Sequence, residues 1–270
     1  MKKSINKLKL LILKIARPIL RIMLKYTYDE SEYKNHFISK YPKNIINVDT
    51  LAPKIIYGFW TGNNELTPNR KRCIESIKKN AGIPFVLVTP NNLSNFILPN
   101  YPLHPAYEYL STNHRSDYLR SYFMHHHGGG YIDIKHIKKS WLNAMEKLNR
   151  HTTKWAVGYP ELAPSMIPPQ PHNKLNSQLR NNYYRIIGNA GFIFKPGSPF
   201  TEEWSKLVEE KLSANYDKLK SNPGNIWGSN RGYPLPWASL QGSIFHPLCL
   251  KYSEFILQDN SLEMSFENYR

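Results

Sequence analysis

Residues 113–141, NHRSDYLRSYFMHHHGGGYIDIKHIKKSW, predict an amphipathic α-helix, a turn of three glycines and a short apolar β-strand. Asp117 and Arg120 are spaced so that they lie on one face of this helix, about one turn apart. The glycines allow a sharp turn and the close approach of another backbone or a ligand. The strand ends on Asp133 and Lys135. The stretch therefore predicts a carboxylate and an ammonium side by side at a strand tip, as an anionic, hydroxyl-rich ligand requires.

Strands and helices alternate on both sides of this stretch. Lys54–Phe59 and Phe85–Val88 are apolar runs typical of buried strands, and Thr67 with the proline after it begins a helix between them. Further elements are predicted as helices over 141–148 and 199–212 and as strands over 155–159 and 186–194. The alternation predicts an α/β fold with a mostly parallel central sheet flanked by helices. Ligands of such sheets bind beyond the carboxyl ends of the strands, where Trp60 and Asp133 are expected.

Three blocks of sequence, in this order, resemble one group of enzymes. They are PKIIYGFW at 53–60, CIESIKKN at 73–80, and the Ser-Asp-Tyr-Leu-Arg helix with its glycine turn and Tyr-Ile-Asp strand. Together they resemble glycosyltransferases with a DXD sugar-binding region. That group includes the family 32 enzymes, bacterial capsular polysaccharide synthesis proteins and, more distantly, the clostridial glucosylating toxins. The resemblance implies a GT-A-type nucleotide-sugar-binding fold. It also implies transfer of a hexose, with retention of configuration, from a nucleotide-sugar (a UDP-sugar is favoured) to a surface glycan such as capsule or lipopolysaccharide.

The chain departs from the pattern of that group at one position. The pattern ends in Asp-x-Asp, whereas this sequence reads Asp133-Ile134-Lys135. In the group the first carboxylate contacts the ribose or the sugar, and the last binds a divalent cation that bridges the diphosphate. A protonated lysine cannot ligate a metal, but it can neutralise a phosphate directly. Two alternatives stay open: Mn²⁺ or Mg²⁺ bound through Asp133, or a metal-independent site.

The resemblance and the residue types together assign roles to individual side chains. Asp133, Lys135 and Glu161 are predicted to be catalytic, with Glu161 orienting or activating the acceptor hydroxyl from a proline-rich surface loop over 161–178. The predicted donor-binding residues are Trp60, Asp117, Arg120, Gly129, Gly130, Asn189 and His246.

Structural alternatives stay open for several of these residues. Asp117 and Arg120 also fit an ion pair on a helix surface, which would contribute little to stability. Trp60 and His246 also fit core positions, and Glu161 also fits a solvated loop.

The positive charge is concentrated at the start of the chain. The formal net charge is +16, and residues 1–25 contribute +8 of it because they contain no acidic residue. An apolar side faces the basic one when this segment is drawn as a helix, but its uncharged runs are too short to span a bilayer. We predict a membrane-associating amphipathic helix over 1–25, a linker over 26–50 and a catalytic domain over 51–270. A disordered leader, or a helix packed on its own domain, is the alternative.

These features limit the classes of function. The uneven charge argues against a nucleic acid partner, and two distant cysteines, Cys73 and Cys249, indicate a reducing compartment. The predicted partners are a nucleotide-sugar donor, a glycan or lipid-linked acceptor and an anionic membrane surface. The predicted location is the cytoplasm, at the inner face of the cell membrane. A catalytically inactive nucleotide-sugar- or glycan-binding protein is the alternative function.

Overall fold

The computed structural model describes residues 12, 15–17 and 19–269 of the chain. The strands of this part are β1 Ile56–Phe59, β2 Phe85–Val88, β3 Gly129–Ile132, β4 Ala156–Pro160, β5 Ile187–Phe194 and β6 Ile256–Gln258. Its α-helices are α1 Pro68–Asn80, α2 Thr112–His126, α3 Leu142–Asn149, α4 Asn173–Asn181, α5 Pro199–Ser213, α6 Tyr216–Ser221 and α7 Gly242–Lys251.

The strands form one sheet in the order β2-β1-β3-β5-β4-β6. β5 runs antiparallel to both of its neighbours, and the other pairs are parallel. Alternate residues of each strand point to opposite faces. Tyr57 and Phe192 therefore join a core with α2, α5 and α7, whereas Ile56 and Ile193 join a second core with α1 and α3. The predicted fold class, a mostly parallel sheet flanked by helices, is confirmed.

The glycine turn connects α2 to β3 at the centre of the sheet. Gly128 and Gly129 have φ values of 66° and 84°, a conformation that other residues rarely adopt. A Cβ atom on Gly130 would lie 2.9 Å from Cγ1 of Ile56, on the neighbouring strand. The missing side chains therefore let β3 pair closely with β1. Because these two strands are parallel, the residues that follow them, Trp60 and Asp133, lie at the same edge of the sheet.

Helix α2 is buried on all sides, which differs from the amphipathic helix that the sequence predicted. Tyr118, Leu119, Tyr122 and Phe123 are in the core as expected, but every residue from 117 to 124 is buried. The helix lies between the sheet and α5, so its polar residues must find partners inside the protein.

Residues 26–50 are not the linker that the sequence suggested. Tyr33 and Ile38 are completely buried in the main core. The buried ammonium of Lys251, on α7, donates hydrogen bonds to the carbonyl oxygens of Ile38 (3.0 Å) and Tyr41 (2.5 Å) and to a carboxylate oxygen of Glu203 (2.9 Å). This segment is therefore an integral part of the fold.

We expect Lys251→Met to lower the free energy of unfolding by about 3 kcal/mol, because it leaves the Glu203 carboxylate buried without its cation. Burial already raises the pKa of Glu203, and Lys251 opposes that rise. Denaturant titration measures the change, with Lys220→Met on exposed α6 as the control. Equal stability of the two variants would mean that residues 26–50 do not dock on α7.

One of two further segments differs from its prediction. The region 161–178 is not loop throughout, because α4 begins at Asn173, with the side chain of His172 accepting a hydrogen bond from the N–H of Leu175. Residues 187–194 form one continuous strand, which confirms the strand predicted over 186–194.

The start of the chain lies mostly outside the described residues. Of the predicted helix over 1–25, residues 12, 15–17 and 19–23 are described and helical, whereas residues 24 and 25 are described and not helical. No helix among the described residues is long and apolar enough to cross a membrane.

Candidate active site

Four charged side chains meet at the carboxyl end of β3, and we call them the strand-tip cluster: Asp117, Arg120, Asp133 and Lys135. Nη2 of Arg120 lies 3.3 Å from Oδ1 of Asp117 and 3.3 Å from Oδ1 of Asp133. The ammonium of Lys135 is paired with the other oxygen, Oδ2, of Asp133. The alternating charges give the cluster no net charge. The sequence predicted them as two pairs, Asp117 with Arg120 and Asp133 with Lys135, and the structure brings the two pairs together.

The carboxylate of Asp133 is the most open member of the cluster. Its side chain is 23% exposed, compared with 5% to 11% for the other three. The hydroxyl of Tyr131 donates a 2.6 Å hydrogen bond to Oδ1 of Asp133. Burial would raise the pKa of Asp133, but the charges of Lys135 and Arg120 and the hydrogen bonds from Lys135 and Tyr131 outweigh it and lower the pKa to about 2. Asp133 is therefore ionised at neutral pH. The stability it contributes is therefore lost as the pH falls from the ordinary carboxyl pKa of 3.8 through about 2.

Arg120 is held in a fixed position below Asp133. Its guanidinium lies 4.5 Å from the ring centre of Tyr131 and donates a 3.2 Å hydrogen bond to the carbonyl of Asn189 on β5. Burial raises the pKa of Asp117, opposed by the positive charge of Arg120. The surface ion pair that the sequence left open is excluded, because both side chains are buried.

The ammonium of Lys135 lies under the C-terminal segment. It is 4.7 Å from the ring centre of Phe266 and 4.9 Å from that of Tyr269, distances typical of cation–π contacts. A backbone hydrogen bond from Ser265 to His136 fixes the segment beside the strand tip. Lys135 is therefore an enclosed cation, not a solvated lysine at the end of a strand.

A divalent metal fits this set of groups poorly. Both carboxylate oxygens of Asp133 already accept hydrogen bonds, and two fixed cations, Arg120 and Lys135, lie against them. The nearest other carboxylate, Asp117, is paired with the same arginine. Among the described residues, no group of three or more His, Cys, Asp or Glu side chains has the geometry to hold an ion.

Trp60 lies beside the cluster, at the end of β1. Its ring is partly buried against the apolar cluster of Cys73, Ile74 and Ile134, and its Nε1 donates a 2.7 Å hydrogen bond to the carbonyl of Asn64. The guanidinium of Arg70, in the first turn of α1, lies 5.9 Å from the tryptophan ring centre and donates a 2.6 Å hydrogen bond to the carbonyl of Ile134. An aromatic ring and a further cation therefore adjoin the strand tip.

Glu161, directly after β4, and His246, on α7, form a buried pair. Nε2 of His246 lies 3.4 Å from Oε2 of Glu161, and both side chains are almost fully enclosed. The other carboxylate oxygen of Glu161 accepts a 2.8 Å hydrogen bond from the N–H of Leu162. Glu161 is therefore not a solvated loop residue, and its carboxylate has almost no opening towards an acceptor. His246 occupies a core position.

The remaining predicted residues divide into two groups. Asn189 lies on β5 next to Asp133, whose N–H donates a 2.8 Å hydrogen bond to the carbonyl of Ala190. Gly129 and Gly130 lie at the opposite end of β3, in contact with β1. The close packing of β3 on β1 therefore accounts for these glycines, which lie away from a ligand at the strand tip.

Comparison with known proteins assigns the chain to a family. Residues 3–142, more than half of the chain, match the family model for capsular polysaccharide synthesis proteins. The chain belongs to this family. The matched range contains the whole strand-tip cluster and Trp60, and it ends before β4.

A solved structure described as PaToxG glycosyltransferase is similar over 91% of this chain and 79% of that chain, with 15% identity and a TM-score of 0.39. No curated protein matches the sequence.

The sequence did not predict several residues around the strand-tip cluster. Tyr131 had a usable signal, because it lies two residues before Asp133 and so projects from the same side of the strand. Arg70, Phe266 and Tyr269 had no local signal. They reach the site only because α1 and the C-terminal segment pack beside it.

Proposed function

We propose that this protein is a glycosyltransferase of capsule synthesis that moves a hexose from a nucleotide-sugar, with UDP-sugars favoured, to a surface glycan. The observation that carries the proposal is the strand-tip cluster, in which a partly exposed carboxylate is held between two fixed cations beside a tryptophan. This combination suits a ligand with hydroxyls, a diphosphate and a flat base. Membership of the capsular polysaccharide synthesis family supports it.

The proposed donor pose follows from the exposure and charge of each group. A ribose or sugar hydroxyl donates to the open carboxylate of Asp133. An ammonium has three donors, and the hydrogen bond of Lys135 to Asp133 uses one, so the others can bind the diphosphate. Arg70 adds a second positive charge at the side of Trp60, and the tryptophan ring stacks on the base.

We further propose that the transfer is independent of a divalent metal. The developing charge on the leaving diphosphate is stabilised by fixed cations, which need no reorganisation during the reaction. Lys135 stands at the position where related enzymes have a metal-binding carboxylate. Its ammonium is held against Asp133 by the rings of Phe266 and Tyr269. The cation is thus part of the chain itself.

The test is cleavage of a panel of UDP-, GDP- and CMP-sugars by purified protein, in EDTA and in Mn²⁺. We expect one donor to be cleaved at similar rates under both conditions. The anomeric proton of the transferred sugar, observed by NMR, then reports whether configuration is retained, as the sequence resemblance implies. Absence of cleavage of every donor under both conditions would contradict the proposed activity.

A second candidate is a nucleotide-sugar-binding protein without turnover. The observation that favours it is the pairing of Asp133 with Lys135, which leaves the cluster electrically neutral and covered by the C-terminal segment. Calorimetry that detects donor binding, combined with no cleavage when acceptor glycans are added, would select this alternative.

We also propose that the helix at the start of the chain attaches the protein to an anionic membrane surface. Its described arginines face the domain: Nη1 of Arg17 donates 2.9 Å hydrogen bonds to the carbonyls of Pro160 and Glu161, and Arg21 donates one to that of Ile256. The apolar side is therefore turned outward, with these residues half exposed or more: Ile12, Ile15, Ile19, Ile22 and Met23.

The exposed isoleucines and the charge of the segment fit the same partner. Burial of these isoleucines in the interfacial region of a bilayer would remove apolar surface from water. The lysines of the leader at 2, 3, 7, 9 and 14 lie outside the described residues, and their positive charge suits anionic headgroups. The fixed arginines would then orient the domain relative to the membrane.

We expect the triple variant Ile15→Ser, Ile19→Ser, Ile22→Ser to bind vesicles of phosphatidylcholine and phosphatidylglycerol at least about a hundredfold more weakly than wild type, from the apolar area lost. Vesicle sedimentation measures the affinity. Ile45→Ser with Ile46→Ser, exposed elsewhere on the surface, is the control. Binding that survives the triple substitution and disappears at high salt would assign attachment to the lysines alone.

A further inference from the structure

Two tryptophans project from the surface near the strand-tip cluster. Trp227 is 53% exposed and Trp237 is 55% exposed, and their ring centres lie 6.2 Å apart with 32° between the ring planes. Exposed apolar surface of this kind is costly in water and commonly marks a binding site. The two rings face solvent, so their exposure needs an explanation other than core packing.

The loop that carries the rings is held by many hydrogen bonds. The side chain of Asn225 accepts hydrogen bonds from the N–H groups of Trp227 (3.0 Å) and Ser229 (3.1 Å). The side chain of Asn230 accepts one from the N–H of Asn225 (3.0 Å) and donates one to the carbonyl of Pro223 (2.9 Å). The rings are therefore presented by a preorganised scaffold, which lowers the entropy cost of binding.

The same loop is attached to the helix that carries Asp117. The carbonyl of Ile226 accepts a 2.7 Å hydrogen bond from the hydroxyl of Thr112, at the start of α2. Nε2 of the buried His114 lies 3.2 Å from the carbonyl of Trp237. Both attachment points are within about two turns of Asp117 along α2. Thr112 also accepts a hydrogen bond from Thr61, which follows β1, so the tryptophan pair lies on the β1 side of the strand-tip cluster. The described part of the N-terminal helix is attached on the opposite side, at β4 and β6.

We infer that Trp227 and Trp237 form a platform that binds a pyranose ring of the acceptor glycan. The inference rests on the proposed transferase function, since an acceptor must approach the donor from the open side of the cluster. A sugar has C–H faces that pack on aromatic rings and hydroxyls that suit a loop rich in asparagine, serine and glycine. A lipid surface fits less well, because the loop exposes the polar residues Asn225 and Ser229 on either side of Trp227.

The test measures sugar binding and donor cleavage separately. Binding of oligosaccharides released from purified bacterial capsules, and of methyl hexopyranosides, is followed by calorimetry and by saturation-transfer NMR. We expect wild type to bind at least one of these probes. Trp227→Ala and Trp237→Ala should each raise Kd about tenfold, and Trp227→Phe should retain most of the affinity. The control is Tyr101→Ala, an exposed aromatic near the other end of α2.

The outcomes separate this inference from the proposed function. The platform is supported if the alanine variants bind sugar more weakly than wild type but hydrolyse the donor, without added acceptor, at the wild-type rate. Sugar binding that depends on the tryptophans in a wild-type protein that cleaves no donor also supports it, and then the transferase proposal fails alone. The platform is overturned if wild type binds no probe, or if both alanine variants bind sugar like wild type. Loss of vesicle binding with sugar binding unchanged would also overturn it.

Discussion

Lys135→Met is expected to lower kcat for sugar transfer by about 10²- to 10³-fold, the usual effect of removing one preorganised group that stabilises developing charge. Methionine has a similar length and is apolar, so it fills the space between Phe266 and Tyr269 without the ammonium. The donor KM should change less than kcat, because the charge on the leaving diphosphate grows during the reaction. Steady-state kinetics in EDTA measure both parameters.

The matched control for this substitution is Lys138→Met. Lys138 also follows β3, and its substitution removes the same charge, but its side chain is exposed. It should keep its kcat within about twofold of wild type, as substitutions of exposed charges usually do. A Lys135→Met enzyme that matches this control would remove Lys135 from the mechanism. Full rescue of Lys135→Asp by Mn²⁺ would show that a metal can replace the ammonium.

Asp133→Asn is expected to weaken nucleotide-sugar binding by about 10- to 100-fold, the range for hydrogen bonds to a charged group. The asparagine keeps the shape of the side chain but removes the charge that holds Arg120 and Lys135. Those two cations then repel each other, so the geometry that presents them to the diphosphate is lost. Calorimetric titration with the cleaved donor, or with its nucleoside diphosphate, measures the change.

Asp217→Asn provides the comparison for this variant, since Asp217 is an exposed residue of α6. It should bind the donor as wild type does. Circular dichroism and thermal unfolding establish that Asp133→Asn is folded. Donor affinity of a folded Asp133→Asn variant within about twofold of the control would contradict the role of the strand tip.

The sequence predicted the centre of the fold because its signals there are local. Thr67 accepts a hydrogen bond from the N–H of Arg70 and caps α1 as the Thr-Pro pair indicated. The strand over 85–88 and the turn at Gly129 follow equally short-range patterns. The positions of Asp117, Arg120 and Asp133 followed from helix spacing and from parallel strand order, so their meeting could be anticipated.

The errors concern contacts between segments that are distant in the chain. The segment 26–50 reads as polar, but Lys251, more than two hundred residues later, binds its carbonyl groups and makes it part of the core. Glu161 lies in a proline-rich region, and only the packing of α7 places His246 over its carboxylate. The orientation of Arg17 depends likewise on carbonyl groups at the end of β4. Periodicity and local propensity contain no information about such partners.

A structure of the protein with the cleaved nucleotide-sugar, or its nucleoside diphosphate, grown in the presence of Mn²⁺, tests the central claim most directly. The account predicts that the diphosphate lies within hydrogen-bonding distance of the Lys135 ammonium, with a donor hydroxyl on Asp133 and the base on Trp60. No metal ion should lie between the phosphates and the strand tip. A manganese ion coordinated by Asp133, or a nucleotide bound away from this edge of the sheet, would contradict it.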